Sequence, residues 1–159
     1  MKTYGTMLDG LEIITHKKYN DHRGSFCETW KNIEKPWKVA DGMRGILRQL
    51  NTAVSVKNVI RGLHRQNQYK RVMPVVGNIF DVAVNVDTGE WFGIELDDNT
   101  GLLIPPEYAH GYLVLSDLAV VQYIVDMPYN KTLEENYRYD QFNIEWPLTE
   151  KPILSEKDS

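Results

Sequence analysis

The sequence predicts an all-β domain, an antiparallel two-sheet sandwich or jelly roll. Three observations carry this. Short runs rich in Val, Ile and Tyr recur at roughly ten-residue spacing, with turn signals between them. No segment keeps a strong helical period over three turns. Hydrophobic residues make up 42% of the 159 residues and charged residues 25%. That proportion is enough for a buried core without disulfide or metal staples.

The elements follow in order. Residues 11–15 alternate weakly and open the fold as a strand. Asp21-His22-Arg23-Gly24 reads as a turn, and residues 25–30 as the strand after it. Residues 31–38 are polar around Pro36 and read as a short helix or loop; 41–45 form a glycine-bearing loop. Strand patterns then fill 46–54, 58–64, 70–76, 78–86, 91–96, 101–104, 111–115 and 119–126. Gly77-Asn78 and Asp87-Thr88-Gly89 read as hairpin turns, and Ser116-Asp117 as a link between two antiparallel strands. Residues 131–137 carry a weak helical pattern, and 146–159, with two prolines, an irregular arm. No repeat or linker divides the chain, so 1–159 is read as one domain.

Composition excludes several classes. A formal net charge of −4 is unlike a duplex-DNA reader, so no nucleic-acid partner is expected. Cys27 stands alone and has no internal disulfide partner, which fits a reducing compartment. No apolar run reaches the length of a signal peptide core or a membrane span. The reading is therefore cytoplasmic, with no membrane partner. The many aromatics, nine Tyr and four Trp, suit core and interface packing and also sugar or base sites.

Chemistry concentrates in Asn58-Val59-Ile60-Arg61-Gly62-Leu63-His64-Arg65-Gln66, followed by Lys70. Val59, Ile60 and Leu63 favour a strand, while Arg61 and His64 are costly to bury without partners. One apolar face and one cationic, titratable face describe the wall of a pocket for an anion, with a base that works near neutral pH. His110 follows Pro105 and Pro106 and precedes Gly111, in a stiffened approach to another strand. A metal is not expected. His64 has Gln66 where a paired histidine would stand, and the ammonium of Lys70 repels a cation. A histidine base, a lysine or arginine facing an oxyanion, and a tyrosine acid suffice to move a proton next to a carbonyl.

These residues, with others, resemble the dTDP-4-dehydrorhamnose 3,5-epimerase family over nearly the whole chain. The resemblance rests on Asp21-His22-Arg23-Gly24 with Phe26 and Glu28, on Gln49 and Asn51, and on Arg61-Gly62-Leu63-His64 with Gln68-Tyr69-Lys70. It continues through Phe80-Asp81-Val82-Ala83-Val84, Ile104-Pro105, Ala109-His110-Gly111-Tyr112, Tyr123, Tyr129, Ile144-Glu145-Trp146-Pro147 and Leu154-Ser155-Glu156-Lys157-Asp158.

The resemblance implies a cupin-like jelly roll that needs no cofactor or metal and forms a homodimer, an N-terminal strand or loop reaching the partner. It implies epimerisation of a dTDP-linked 4-keto-6-deoxyhexose at C3 and C5. In that scheme His64 is the base, Asp158 holds and polarises it, Lys70 stabilises the enolate oxygen and Tyr123 returns a proton from the opposite face. Arg23 and Arg61 meet the diphosphate, and Glu28, Gln49 and Asn51 line the nucleotide or sugar. Tyr129 stacks near the base, and His110 lines the pocket. Two other readings stand beside it: a 3-only or 5-only epimerase or 3,4-ketoisomerase on the same scaffold, and a non-catalytic nucleotide-sugar or carbohydrate binding module. A binding module has no need of a base and an acid.

Overall fold

The computed structural model describes residues 2–22, 24–29 and 48–159. The expected elements at 31–38 and 41–45, the start of the strand at 46 and the end of the one at 30 lie outside them. The strands are β1 (Lys2–Gly5), β2 (Glu12–Thr15), β3 (Lys18–Asp21), β4 (Gly24–Cys27), β5 (Gln49–Val56), β6 (Ile60–Arg65) and β7 (Lys70–Val76). They continue with β8 (Ile79–Asn85), β9 (Trp91–Leu96), β10 (Thr100–Ile104), β11 (Tyr108–Val114), β12 (Leu118–Val125) and β13 (Glu135–Asn136).

A six-stranded sheet runs β1-β2-β10-β7-β12-β5 and faces a five-stranded sheet, β13-β6-β11-β8-β9. The pairings within them are antiparallel, as in a cupin-like jelly roll. Among the described residues, β3 and β4 pair only with each other, as a separate ribbon.

Alternation along the strands divides the side chains into layers. Val72, Leu102, Ile104, Ala119 and Val121 of one sheet meet Ile79, Ala83, Leu96, Tyr108, Tyr112 and Val114 of the other in the central core. The opposite face of the five-stranded sheet carries Leu63, Val82, Val84 and Ala109. Phe142, Ile144 and Trp146 of the C-terminal arm cover it. Each fully buried aliphatic side chain is worth about 1.5–3 kcal/mol of transfer free energy, so the arm is part of the fold.

Three expectations need correction. Gly77-Asn78 is not a hairpin turn: it carries the chain from β7 in one sheet to β8 in the other. Gly77 has φ +77°, and a Cβ there would lie 2.2 Å from the Leu118 carbonyl oxygen. Ser116-Asp117 likewise crosses between sheets, so β11 and β12 are not paired. The first crossing is two residues long and the second, Leu115-Ser116-Asp117, three; both are hairpin lengths, which is why they mimic hairpins in sequence. Residues 131–137 form one 3-10 turn, Lys131–Leu133, capped by the Asn130 side chain, and then β13. Pairing of β13 with β6 overrides the weak helical pattern. The Asp87-Thr88-Gly89 hairpin is present: β8 pairs with β9, and Gly89 N–H donates to Asn85 O at 2.8 Å.

Candidate active site

A cavity of about 450 Å3 opens between the two sheets. β5 offers Gln49, Asn51 and Ala53 from alternate positions, and β12 offers Tyr123 and Val125 in the same way. β7 adds Lys70, and β11 adds His110 and Tyr112. Strict alternation would put Arg61 and His64 of β6 on opposite faces, yet both line the cavity. The register explains this. His110 pairs with His64 and Tyr112 with Arg61, so two residues of β6 stand against Gly111 alone. Such a bulge restores the face.

Gly62 makes the bulge possible. Its φ is +115°, and a Cβ would lie 2.5 Å from Gly111 Cα and 2.6 Å from the His110 carbonyl oxygen. Gly62→Ala is expected to cost more than about 3 kcal/mol. At roughly 2–4 °C per kcal/mol for a chain of this size, melting should fall by about 10 °C or refolding should fail. A variant that melts with the wild type would contradict this account of the strand.

The histidine is tethered on one ring nitrogen. His64 Nε2 lies 2.7 Å from Asp158 Oδ1. A carboxylate only accepts, so Nε2 carries the proton and Nδ1 keeps the lone pair. Nδ1 faces Glu134 Oε1 at 3.7 Å. Burial lowers the His64 pKa, and the Asp158 hydrogen bond partly offsets that shift. The imidazole is therefore neutral near neutral pH, the form that can accept a proton.

Lys70 is buried and donates to the His64 carbonyl oxygen at 3.2 Å. Burial brings its pKa down from 10.5 to about 8. The ammonium still predominates at pH 7, and a buried cation in a cavity wall can stabilise a developing oxyanion. Tyr123 has its pKa raised by burial, so it holds its phenolic proton. His110 Nε2 lies 2.8 Å from Oδ1 of the fully buried Asp81. Arg61 Nε donates to Ser55 Oγ at 2.9 Å. Tyr129 is half exposed; its backbone N–H donates to Gln49 Oε1 at 3.0 Å and its hydroxyl to Glu134 Oε2 at 3.1 Å.

Nine of the eleven expected site residues thus stand on one cavity: Gln49, Asn51, Arg61, His64, Lys70, His110, Tyr123, Tyr129 and Asp158. Glu28 is exposed and does not line it. Arg23 lies outside the described residues. The sequence reading assigned no role to Glu134, Lys157, Gln66, Gln68 or Tyr112, which also line the cavity. Glu134 joins Lys157 Nζ at 2.6 Å. Burial would raise the Glu134 pKa, but hydrogen bonds from Lys157 and Tyr129 hold it below the usual value. The β6–β13 pairing, which begins just after Glu134, brings it beside His64, and that pairing has no clear signal in a two-residue strand. Among the described residues, no cluster of three or more His, Cys, Asp or Glu side chains could hold a metal ion.

The family of dTDP-4-dehydrorhamnose 3,5-epimerases matches residues 5–159. The chain belongs to the dTDP-4-dehydrorhamnose 3,5-epimerase family. One family member, from Methanothermobacter thermautotrophicus, is 40% identical, covering 96% of this chain and 89% of that protein. The crystal structure of dTDP-6-deoxy-D-glucose-3,5-epimerase from Legionella pneumophila, in complex with dTDP-4-keto-L-rhamnose, superposes with a TM-score of 0.88. It is 35% identical, covering 99% of this chain and 89% of its own. A 3'-monoepimerase from Streptomyces bikiniensis, in complex with dTDP-quinovose, has a TM-score of 0.85 at 25% identity, covering 96% and 83%.

Proposed function

We propose that this chain epimerises a dTDP-linked 4-keto-6-deoxyhexose at C3 and C5, converting dTDP-4-dehydro-6-deoxy-D-glucose to dTDP-4-dehydro-L-rhamnose. The observation that carries this is the placement of a neutral, carboxylate-tethered histidine and a protonated tyrosine on strands of opposed sheets, around one cavity with a buried ammonium.

The chemistry follows from the substrate. A ketone at C4 acidifies the C–H bonds at C3 and C5. His64 Nδ1 takes the proton, and the C–H electron pair moves into the ring to leave an enolate with its charge on the C4 oxygen. The Lys70 ammonium stabilises that charge. Tyr123 gives its proton to the same carbon from the opposite face, the ketone reforms and the centre is inverted. Solvent removes the proton from the imidazolium and returns one to the phenolate, and the cycle repeats at the second carbon. Asp158 keeps the tautomer and favours the imidazolium as it forms.

Arg61 serves the diphosphate. Ser55 holds its Nε, which leaves the terminal nitrogens for phosphate oxygens. Gln49, Asn51 and His110 contact nucleotide or sugar, and Tyr129 stacks near the base. The reaction needs no metal or other cofactor. The test is incubation with dTDP-4-dehydro-6-deoxy-D-glucose in deuterated water, with the product trapped by a stereospecific reductase. Deuterium at both C3 and C5 of an L-rhamno product is expected. Deuterium at C3 alone would instead make the chain a monoepimerase, an activity this fold also carries. Tyr123→Phe should keep exchange of the abstracted proton while inversion slows about a hundred- to ten-thousand-fold. Equal loss of both would remove Tyr123 from the acid role.

The working unit proposed is a homodimer of one-domain chains. The outer face of β5 and β12 presents Leu50, Val54, Val56 and Leu118, each at least 45% exposed. Val56 pairs with Leu118 and Val54 with Val120, so these side chains form one apolar stripe at β5, the last strand of its sheet among the described residues. The β3–β4 ribbon forms its own two-stranded sheet with Tyr19 and Phe26 exposed, as an arm suited to reach a partner. Glu28, which follows β4, would then meet substrate in the partner's cavity. Light scattering at micromolar concentration should give the dimer mass, and Val54→Asp should shift it towards the monomer. A fully active wild-type monomer would refute this.

A further inference from the structure

The C-terminal turn carries a hydroxyl that the reaction scheme does not use. Asp158 is buried, and its two oxygens are occupied separately. Oδ1 faces His64 Nε2 at 2.7 Å, and Oδ2 accepts from Ser155 Oγ at 2.9 Å. The backbone closes the same ring, with Asp158 N–H donating to Ser155 O at 3.1 Å and Ser159 Oγ to the same carbonyl at 2.7 Å. The turn hangs from the strand that bears the histidine: Ile153 N–H donates to Asn58 O at 2.9 Å, and Ile60 N–H to Ile153 O at 3.0 Å. An aspartate carboxyl rotates in a broad, two-fold well, so one hydrogen bond alone does not fix its plane. Two bonds, one to each oxygen, do.

We propose that Ser155 is a positioning residue for the epimerase reaction: its hydroxyl fixes the Asp158 carboxylate in the orientation that tethers and polarises His64. The activity arm of this inference rests on the proposed function; the titration arm does not. Besides Asp158, the ionisable groups facing His64 are Glu134 before β13, Lys157 in the turn, Lys70 on β7 and His110 on β11. A Ser155 variant leaves all of them in place, so a change in His64 titration reports the Asp158 carboxylate.

The experiment follows the His64 imidazole by proton NMR against pH in the ligand-free protein, with His64→Ala to assign the signal among four histidines. Asp158 raises the His64 pKa, so loosening it must lower that pKa. Ser155→Ala should shift the titration downward by part of the shift seen in Asp158→Asn. It should lower kcat about tenfold, with KM little changed and the acid limb of kcat moved the same way. Ser155→Thr, which keeps the hydroxyl, should restore both. Ser155→Ala with Asp158→Asn should be no slower than Asp158→Asn alone, because the two act as a unit. A His64 titration unmoved in Ser155→Ala overturns the proposal, as does a kcat loss that Ser155→Thr fails to rescue. A shifted titration in a protein whose wild type is inert on the dTDP sugar supports the positioning role and sinks the epimerase reading instead.

Discussion

His64→Ala should lose turnover by at least a hundred- to ten-thousand-fold, together with exchange of substrate C–H bonds into solvent. The cavity offers few substitutes. Lys70 and Lys157 are cations, and Glu134 is committed to Lys157 and Tyr129. His110 is turned to Asp81. The fold should survive, since His64 belongs to neither core cluster. Binding of a dTDP ligand by calorimetry should change little, because the base touches the reacting carbon and not the nucleotide. A variant that still exchanges at C3 or C5 at the wild-type rate would show that another group is the base.

Lys70→Met should lower kcat about a hundred- to a thousandfold, the usual cost of losing one preorganised oxyanion donor, and should also stabilise the protein. The second effect comes from linkage. The folded pKa is about 8 and the unfolded value 10.5, so the unfolded chain binds more protons between them. Stability therefore rises with pH across that window, and below pH 8 the buried ammonium costs of order 3 kcal/mol. An apolar side chain of similar length removes that cost, so melting at pH 7 should rise by several degrees while activity collapses. The wild type should also lose activity as pH climbs past about 8, when the ammonium gives up its proton. A Lys70→Met protein that is both slow and less stable would mean that Lys70 holds the fold and does not await an oxyanion.

Much of this was legible in the sequence because strand period and turn spacing are local. β9 matches the expected 91–96 run, and β7 the run at 70–76. The grouping of His64, Lys70 and His110 was legible because charged and titratable residues in apolar strands need a shared polar cavity, whereas Tyr123 was reached only through the family resemblance. What sequence could not place depends on pairing between distant segments. Gly77-Asn78 looks the same whether it folds a strand back on itself or carries it to the other sheet. Glu134 acquires meaning only when β13 docks on β6, 70 residues earlier for the Arg65–Glu135 contact. The bulge opposite Gly111, which turns Arg61 and His64 to one face, breaks the period-two rule that any sequence reading relies on. The ribbon β3–β4 is a further case, since its turn was readable but its separation from both sheets was not.

The most direct test of the account is site-resolved deuterium incorporation from solvent into dTDP-4-dehydro-6-deoxy-D-glucose, followed by NMR for wild type, His64→Ala and Tyr123→Phe side by side. The account predicts deuterium at C3 and C5 with inversion for the wild type, none for His64→Ala, and exchange that outpaces inversion for Tyr123→Phe. Wild-type exchange in His64→Ala, or no exchange by the wild type itself, would contradict it.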